Sequence, residues 1–171
     1  MPSLSLASPV GRLRLDEEDG SLAAIRWDDS LAAGNGSPLL IEAARQLEAY
    51  FDRRLTHFDL PLTPVGSPFD QRVWQAMRQI PHGQTRTYGE LAMEVGSAPR
   101  AVGGACGRNP IPIVIPCHRI LARNGFGGYS GGAGLPTKRC LLDLERAGPG
   151  GLSSQFGADR RKSASLAAHL T

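Results

Sequence analysis

Residues 115–119 read Ile115-Pro116-Cys117-His118-Arg119, a thiol followed directly by an imidazole and a guanidinium. Cationic neighbours favour the thiolate, which is the nucleophilic form of cysteine. The pentapeptide therefore predicts a sulfur of depressed pKa at the end of the mostly apolar run over residues 111–115, ready for attack on an electrophilic carbon. A small buried cysteine beside surface charges fits the same five residues, so the rest of the chain has to decide. The other cysteines are Cys106 and Cys140, and neither forms a CxxC pair or a Cys/His cluster at metal-ligand spacing. Three thiols without a framework argue for a reducing compartment and against a disulfide scaffold or a zinc site.

Charge is distributed unevenly around this candidate nucleophile. Residues 1–99 hold nine Lys/Arg against thirteen Asp/Glu, a net of −4, although the whole chain is at +3. Residues 95–142 contain Arg100, Arg108, Arg119, Arg123, Lys138 and Arg139 with no acidic residue. A one-sign stretch around a reactive sulfur suggests a polyanionic partner, and a solvated basic surface is the other reading. With 171 residues, 41% hydrophobic and 20% charged, the composition is that of one globular domain or two small ones. No run approaches the roughly 18 apolar residues of a membrane span. The start of the chain lacks a basic region followed by an apolar stretch, so the expectation is a cytoplasmic protein with no signal peptide and no membrane partner.

The elements that must position Cys117 follow from periodicity. Leu4 and Leu6, then Leu13 and Leu15, then residues 22–27 alternate between turns at Pro9-Val10-Gly11 and Asp16 to Gly20, predicting a small antiparallel sheet. Residues 31–37 read as a linker. Ser37-Pro38 opens a helix whose inward stripe is Leu40, Ala43/Ala44, Leu47 and Tyr50/Phe51. Residues 58–62 are a short extended piece. Ser67 caps a second helix with Asp70 at its third position and an apolar face of Phe69, Val73, Trp74, Met77 and Ile80. Thr87 and Glu90 repeat the capping pattern for a short helix to Val95, and Ala98 to Cys106 forms the next, ended by Gly107. Two short helices around Gly96-Ser97 outline a helix-turn-helix, and a packed helical hairpin has the same outline. The second carries Arg100 near its start and Ala101, Gly103, Gly104 and Ala105 along its length, small residues that permit close backbone approach. Residues 124–132 are glycine-rich but lack the Gly-Lys-Ser/Thr of a phosphate loop. Pro136 starts a last helix with Leu141, Leu142 and Leu144 inward, and the chain after Gly148 reads as a loosely held tail.

Taken together, these residues resemble the O6-alkylguanine-DNA alkyltransferases, also called methylated-DNA–protein-cysteine methyltransferases. The likeness rests on Arg100-Ala101-Val102-Gly103-Gly104-Ala105, Asn109-Pro110, Ile115 to Arg119, Gly128-Tyr129-Ser130-Gly131-Gly132 and Lys138 to Glu145, in the family's order. It is firm from Phe69 onward and looser over the N-terminal lobe. It implies an α/β two-lobe fold: an N-terminal ribonuclease-H-like lobe with a small antiparallel sheet (1–64), and a mostly helical, winged-helix-like C-terminal lobe with the helix-turn-helix (65–148). Residues 149–171 would follow as a flexible tail.

The resemblance also implies roles. Cys117 would accept the alkyl group of O6-alkylguanine (O4-alkylthymine being a second candidate substrate), His118 would deprotonate it through a water, and Glu145 would orient His118. Asn109 would brace the turn that presents Cys117, and Arg119 would tie that segment to the scaffold. On the substrate and DNA side would stand Tyr88, Arg100, Ala101, Gly103, Arg119, Ile120, Tyr129, Ser130 and Lys138. Arg100 would fill the place of a flipped base, Tyr88 would press on the flipping phosphate, and Tyr129 and Ser130 would bind the guanine O6 edge. No cofactor and no metal would be needed, and the partner would be duplex DNA containing O6-alkylguanine, met by a monomer. Cys106 reads as structural and Cys140 as core. A Cys-His hydrolase would need an oxyanion hole and turnover. The non-catalytic binders of alkylated DNA related to this family usually carry tryptophan where this chain has Cys117.

Overall fold

The computed structural model describes residues 2–32 and 36–146; part of the expected linker and all of the expected tail lie outside them. The N-terminal lobe is a three-stranded antiparallel sheet, β1 (Ser3–Leu6), β2 (Leu13–Glu18) and β3 (Ser21–Trp27), in that spatial order. Its register pairs Leu4 with Leu15 and Leu15 with Ile25, so alternate residues share one apolar face. Helix α1 (Pro38–Phe51) covers that face with Leu40, Ala43, Leu47, Tyr50 and Phe51, all buried. Ser37 caps it through Leu40 N–H, and Pro38 supplies the preset first-turn dihedral. The extended piece at residues 58–62 ends in a parallel bridge between Leu62 and β3 at Leu22.

The second lobe is helical: α2 (Pro68–Arg78), α3 (Tyr88–Val95), α4 (Pro99–Gly107) and α5 (Leu135–Arg146). Two-residue strands β4 (Arg86–Thr87) and β5 (Ile120–Leu121) pair in parallel and join the start of α3 to the nucleophile segment. The capping boxes Ser67/Asp70 and Thr87/Glu90 are both formed, each satisfying two otherwise unpaired N–H groups. Gly96 ends α3 in the left-handed conformation (φ 70°), a turn that a side chain would strain, and the chain re-enters α4 three residues later. Helix α4 runs through Gly107 rather than stopping before it, because glycine is tolerated in the last turn and Arg108 takes the cap. That Arg108 clasps Asp70 at 2.7 Å while Trp74 Nε1 donates to Ala105 O at 2.9 Å, so α2 fixes α4 from below. The lobes meet where Ile25 N–H donates to Pro110 O at 2.9 Å, directly upstream of the Cys117 segment. Among the described residues no helix is long and apolar enough to cross a membrane.

Candidate active site

Residues 111–120 are buried without interruption, and Cys117 opens a single 3-10 turn (Cys117–Arg119) within them. Asn109 grips this segment at two points: its Nδ2 donates to Ile115 O at 2.8 Å, and its Oδ1 accepts Ile111 N–H at 3.0 Å. Between those points Ile113 sits at φ 76°, a left-handed conformation costing a β-branched residue roughly 1–3 kcal/mol. The compact loop that results brings Cys117 N–H to Ile115 O at 2.8 Å and leaves Cys117 buried, 8% exposed, at a pocket floor.

The expected depression of the Cys117 pKa is not what the fold produces. Burial pushes the thiol up, and this outweighs the Asn109 amide, the Lys138 ammonium, its own backbone N–H and the Tyr129 hydroxyl, all of which favour the thiolate. His118 Nε2 and the Arg119 guanidinium are instead engaged with Glu145. The resting sulfur is therefore a thiol, and attack requires a base.

Glu145 organises that base. Its Oε2 accepts from His118 Nε2 at 2.6 Å, from Tyr50 Oη at 2.6 Å and from Arg119 Nη2 at 3.0 Å, while Oε1 accepts from Arg119 Nε at 2.8 Å. Arg119 Nη1 spends its remaining reach on Ile80 O at 2.7 Å. Burial alone would raise the Glu145 pKa; the facing His118 and Arg119 overcome it and hold the carboxyl well below the usual carboxylate range. A carboxylate can only accept, so His118 Nε2 carries a hydrogen, and in the neutral imidazole the lone pair then lies on Nδ1. Nδ1 is buried and makes no hydrogen bond to a protein atom among the described residues, which leaves it as the nitrogen able to accept a proton. The bond of Tyr50 to Glu145 escaped the sequence reading. Its one signal was a hydroxyl on the inward stripe of α1, where a buried phenol must find a partner.

Above the sulfur lies a pocket of about 330 Å³ lined by Tyr88, Gly103, Cys106, Gly107, Cys117, Gly128, Tyr129 and Ser130. A second cleft of about 300 Å³ reaches Cys117 from the N-terminal lobe, between β3 and the Asn109 to Pro112 segment. Tyr88, Gly103, Tyr129 and Ser130 thus converge on the nucleophile, whereas Arg100 and Ala101 lie on α4 outside the pocket lining, Arg100 exposed. Burial lifts the Tyr88 phenol to about 12, and it also raises Tyr129, so both remain hydrogen-bond donors at neutral pH.

Lys138 corrects the expectation of a DNA-side contact. It is fully buried, and its Nζ donates to Ile120 O at 2.6 Å, to Gly128 O at 3.0 Å and to Phe126 O. All three ammonium hydrogens are used on backbone carbonyls, so Lys138 pins the glycine-rich loop to β5 and has no donor left for a phosphate. Arg119 is likewise turned inward. Ile120 is buried, with its N–H on Cys117 O and its carbonyl on Lys138. Cys140, expected in the core, is exposed on α5 because it falls on the outer face between Lys138 and Leu142. Cys106 lines both cavities, and burial raises its thiol to about 12.

The pocket wall depends on Gly127, at φ 71°: a Cβ there would sit 2.8 Å from Tyr88 Cε2 and 3.3 Å from Ala122 N. Gly127→Ala is expected to displace the Tyr88 ring and to cost about 1–2 kcal/mol for the left-handed backbone. The melting temperature should fall below that of the wild type, and an unchanged value would mean that the Tyr88 ring yields to the added methyl group without cost.

Comparison with known proteins places this geometry. Residues 4–64 match the model of the 6-O-methylguanine DNA methyltransferase ribonuclease-like domain, and residues 68–147 match that of the 6-O-methylguanine DNA methyltransferase DNA binding domain. The methylated-DNA–protein-cysteine methyltransferase of Mycolicibacterium paratuberculosis is 45% identical over 148 residues, covering 81% of this chain and 88% of that one. The protein of the same name from Methanosarcina acetivorans is 52% identical over 107 residues, covering 61% of this chain and 67% of its own length. Among solved structures, Mycobacterium tuberculosis OGT in complex with DNA superposes with a TM-score of 0.76 at 41% identity, covering 86% of this chain and 95% of that one. A buried thiol under a Tyr/Gly-lined pocket, a Glu-His pair behind it and matches through both lobes lead to one conclusion: the chain belongs to the methylated-DNA–protein-cysteine methyltransferase family.

Proposed function

We propose that this chain repairs alkylated DNA by moving the alkyl group of O6-alkylguanine onto its own Cys117, once and irreversibly. The observation that carries the reading is a buried cysteine sulfur at the floor of a pocket of about 330 Å³ with a carboxylate-bound histidine beside it in the chain. Family relatives named methylated-DNA–protein-cysteine methyltransferases and the DNA-bound mycobacterial structure support it. In this reading residues 1–64 are the supporting lobe and 65–148 the DNA-binding, alkyl-accepting one. The protein acts as a cytoplasmic monomer on duplex DNA, with residues 149–171 as a tail.

The O6 atom of a paired guanine is enclosed in the base stack, so the nucleotide must rotate out, at a cost of about a few kcal/mol. Helix α4 lies in the minor groove with its Ala101/Gly103 surface against the backbone, and Arg100 fills the vacated stack. Tyr88 presses the flipping phosphate. In the pocket, the Cys117 proton passes to His118 Nδ1 through a bridging water, and Glu145 stabilises the imidazolium. The Cys117 Sγ electron pair attacks the alkyl carbon in line with the C–O6 bond. The S–C bond forms as that bond breaks, and its electrons go to O6 and the purine ring. Ser130 and Tyr129 donate to the guanine edge as this charge develops. Cys117 is left as a thioether, which is not a leaving group that water displaces, so the protein is consumed.

The test is stoichiometry with a duplex containing one O6-methylguanine in excess over protein. Methyl loss from DNA saturating at one per chain is expected. Continued turnover would contradict the reading, and tight binding without methyl loss would favour a non-catalytic binder of alkylated DNA.

A further inference from the structure

Tyr50 is the sole contribution of the N-terminal lobe to the hydrogen-bond network among the described residues that surround Glu145, and it is the shortest link in that network together with His118. Its hydroxyl donates at 2.6 Å to the Oε2 atom that also receives His118 Nε2 at 2.6 Å. The ring has no freedom to withdraw. It is 1% exposed and packed by Phe51 at 5.2 Å, Phe58 at 5.4 Å and the His82 imidazole at 6.1 Å between centroids. The phenol is a committed donor, because burial and the adjacent Glu145 carboxylate both oppose its ionisation. Arg119 grips Glu145 from the nucleophile segment and α5 carries its backbone, so Tyr50 is the third direction from which the carboxylate is fixed.

We propose that Tyr50 is a positioning residue for alkyl transfer: from the N-terminal lobe it sets both the orientation and the charge of the Glu145 oxygen that orients His118. The inference rests on the function proposed above. Three donors, Tyr50 Oη, His118 Nε2 and the more distant Arg119 Nη2, share Oε2, so negative charge given to the Tyr50 hydroxyl is charge not available to a protonated His118. Removing the hydroxyl concentrates the carboxylate on His118, which then holds a proton more tightly. The base becomes available only at higher pH. This gives the ribonuclease-like lobe a part in the chemistry, although none of its described residues lines the pocket of about 330 Å³ above Cys117.

The test is the single-turnover rate of methyl transfer against pH for the wild type, Tyr50→Phe and Phe58→Leu. Phenylalanine keeps the ring packing and deletes only the donor. Tyr50→Phe should move the acid limb of the profile upward by about half to one pH unit, one unit being a tenfold change in proton affinity. Its equilibrium affinity for the duplex should stay within about twofold of wild type, since Tyr50 faces no part of the pocket (a change of about 0.4 kcal/mol at RT ≈ 0.59 kcal/mol). Phe58→Leu disturbs the same packing without touching the hydrogen bond, and should lower the melting temperature while leaving the acid limb in place. A Tyr50→Phe profile that overlays wild type, or that falls uniformly with no shift, overturns the proposal and leaves Tyr50 to the scaffold. Should Tyr50→Phe not fold, proton NMR of the wild type decides: a slowly exchanging, strongly downfield hydroxyl proton supports the bond to Glu145, and its absence overturns it. Failure of the wild type to transfer a methyl group would instead refute the proposed function itself.

Discussion

Glu145→Gln is expected to slow methyl transfer by up to about 10⁴-fold, the scale seen when an amide replaces the carboxylate of a catalytic triad. The amide can donate to His118 Nε2, which moves the imidazole hydrogen onto Nδ1 and removes the nitrogen that takes the Cys117 proton. The same change leaves Arg119 buried without its countercharge, a loss of about 3–5 kcal/mol by comparison with other broken buried pairs. Denaturant unfolding measures the second effect and single-turnover kinetics the first. The pH dependence has a definite sign. The folded Glu145 pKa lies below its unfolded value of about 4.3. Its stabilising contribution is therefore complete above that unfolded value and is lost as pH falls toward the folded one. In the wild type the network should accordingly be intact throughout the neutral range, and the part of the acid-induced loss of stability that Glu145 contributes should be absent from the glutamine variant, while that of Asp70 remains. A Glu145→Gln protein with wild-type rate would remove His118 from the mechanism.

Cys117→Ser is expected to abolish transfer altogether. A serine hydroxyl is far less acidic than the thiol and a much weaker nucleophile at the pH where His118 can accept its proton. Asn109, Tyr129 and Lys138, which assist a thiolate, cannot compensate for that difference. The fold should lose about 1 kcal/mol or less, because the side chain is nearly the same size and the bonds of Asn109 to Ile111 and Ile115 are untouched. Binding of the variant to an O6-methylguanine duplex, followed by fluorescence anisotropy, should remain within a few fold of wild type. Loss of binding in parallel with transfer would indicate that the substitution damaged the pocket rather than the chemistry.

Much of this molecule was legible in the residue order because local signals and tertiary structure agree. The Ser67/Asp70 and Thr87/Glu90 boxes mark helix starts through hydrogen bonds confined to four residues, and the structure forms both. The stripe from Leu40 to Phe51 and the leucines from Leu6 to Leu22 with Ile25 report burial directly. The failures share a cause. Charge environment is set by neighbours in space, and the sequence offers only neighbours in the chain. His118 and Arg119 stand next to Cys117 in sequence yet turn to Glu145, and Lys138 comes from 21 positions downstream to be the cation that the sulfur experiences. Lys138 itself looked like a surface base, because nothing in the sequence shows three carbonyls converging on one ammonium. Tyr50 was legible as part of the inward stripe, but its bond to Glu145 was not, because the two are 95 residues apart.

The central claim is that Cys117 is the atom that keeps the alkyl group, and peptide mass mapping after reaction with an O6-methylguanine duplex tests it most directly. The account predicts one added methyl group per chain, confined to the peptide that carries Cys117, with Cys106 and Cys140 unmodified. A methyl group on either of the other cysteines, or a protein of unchanged mass after the DNA has lost its methyl groups, would contradict it.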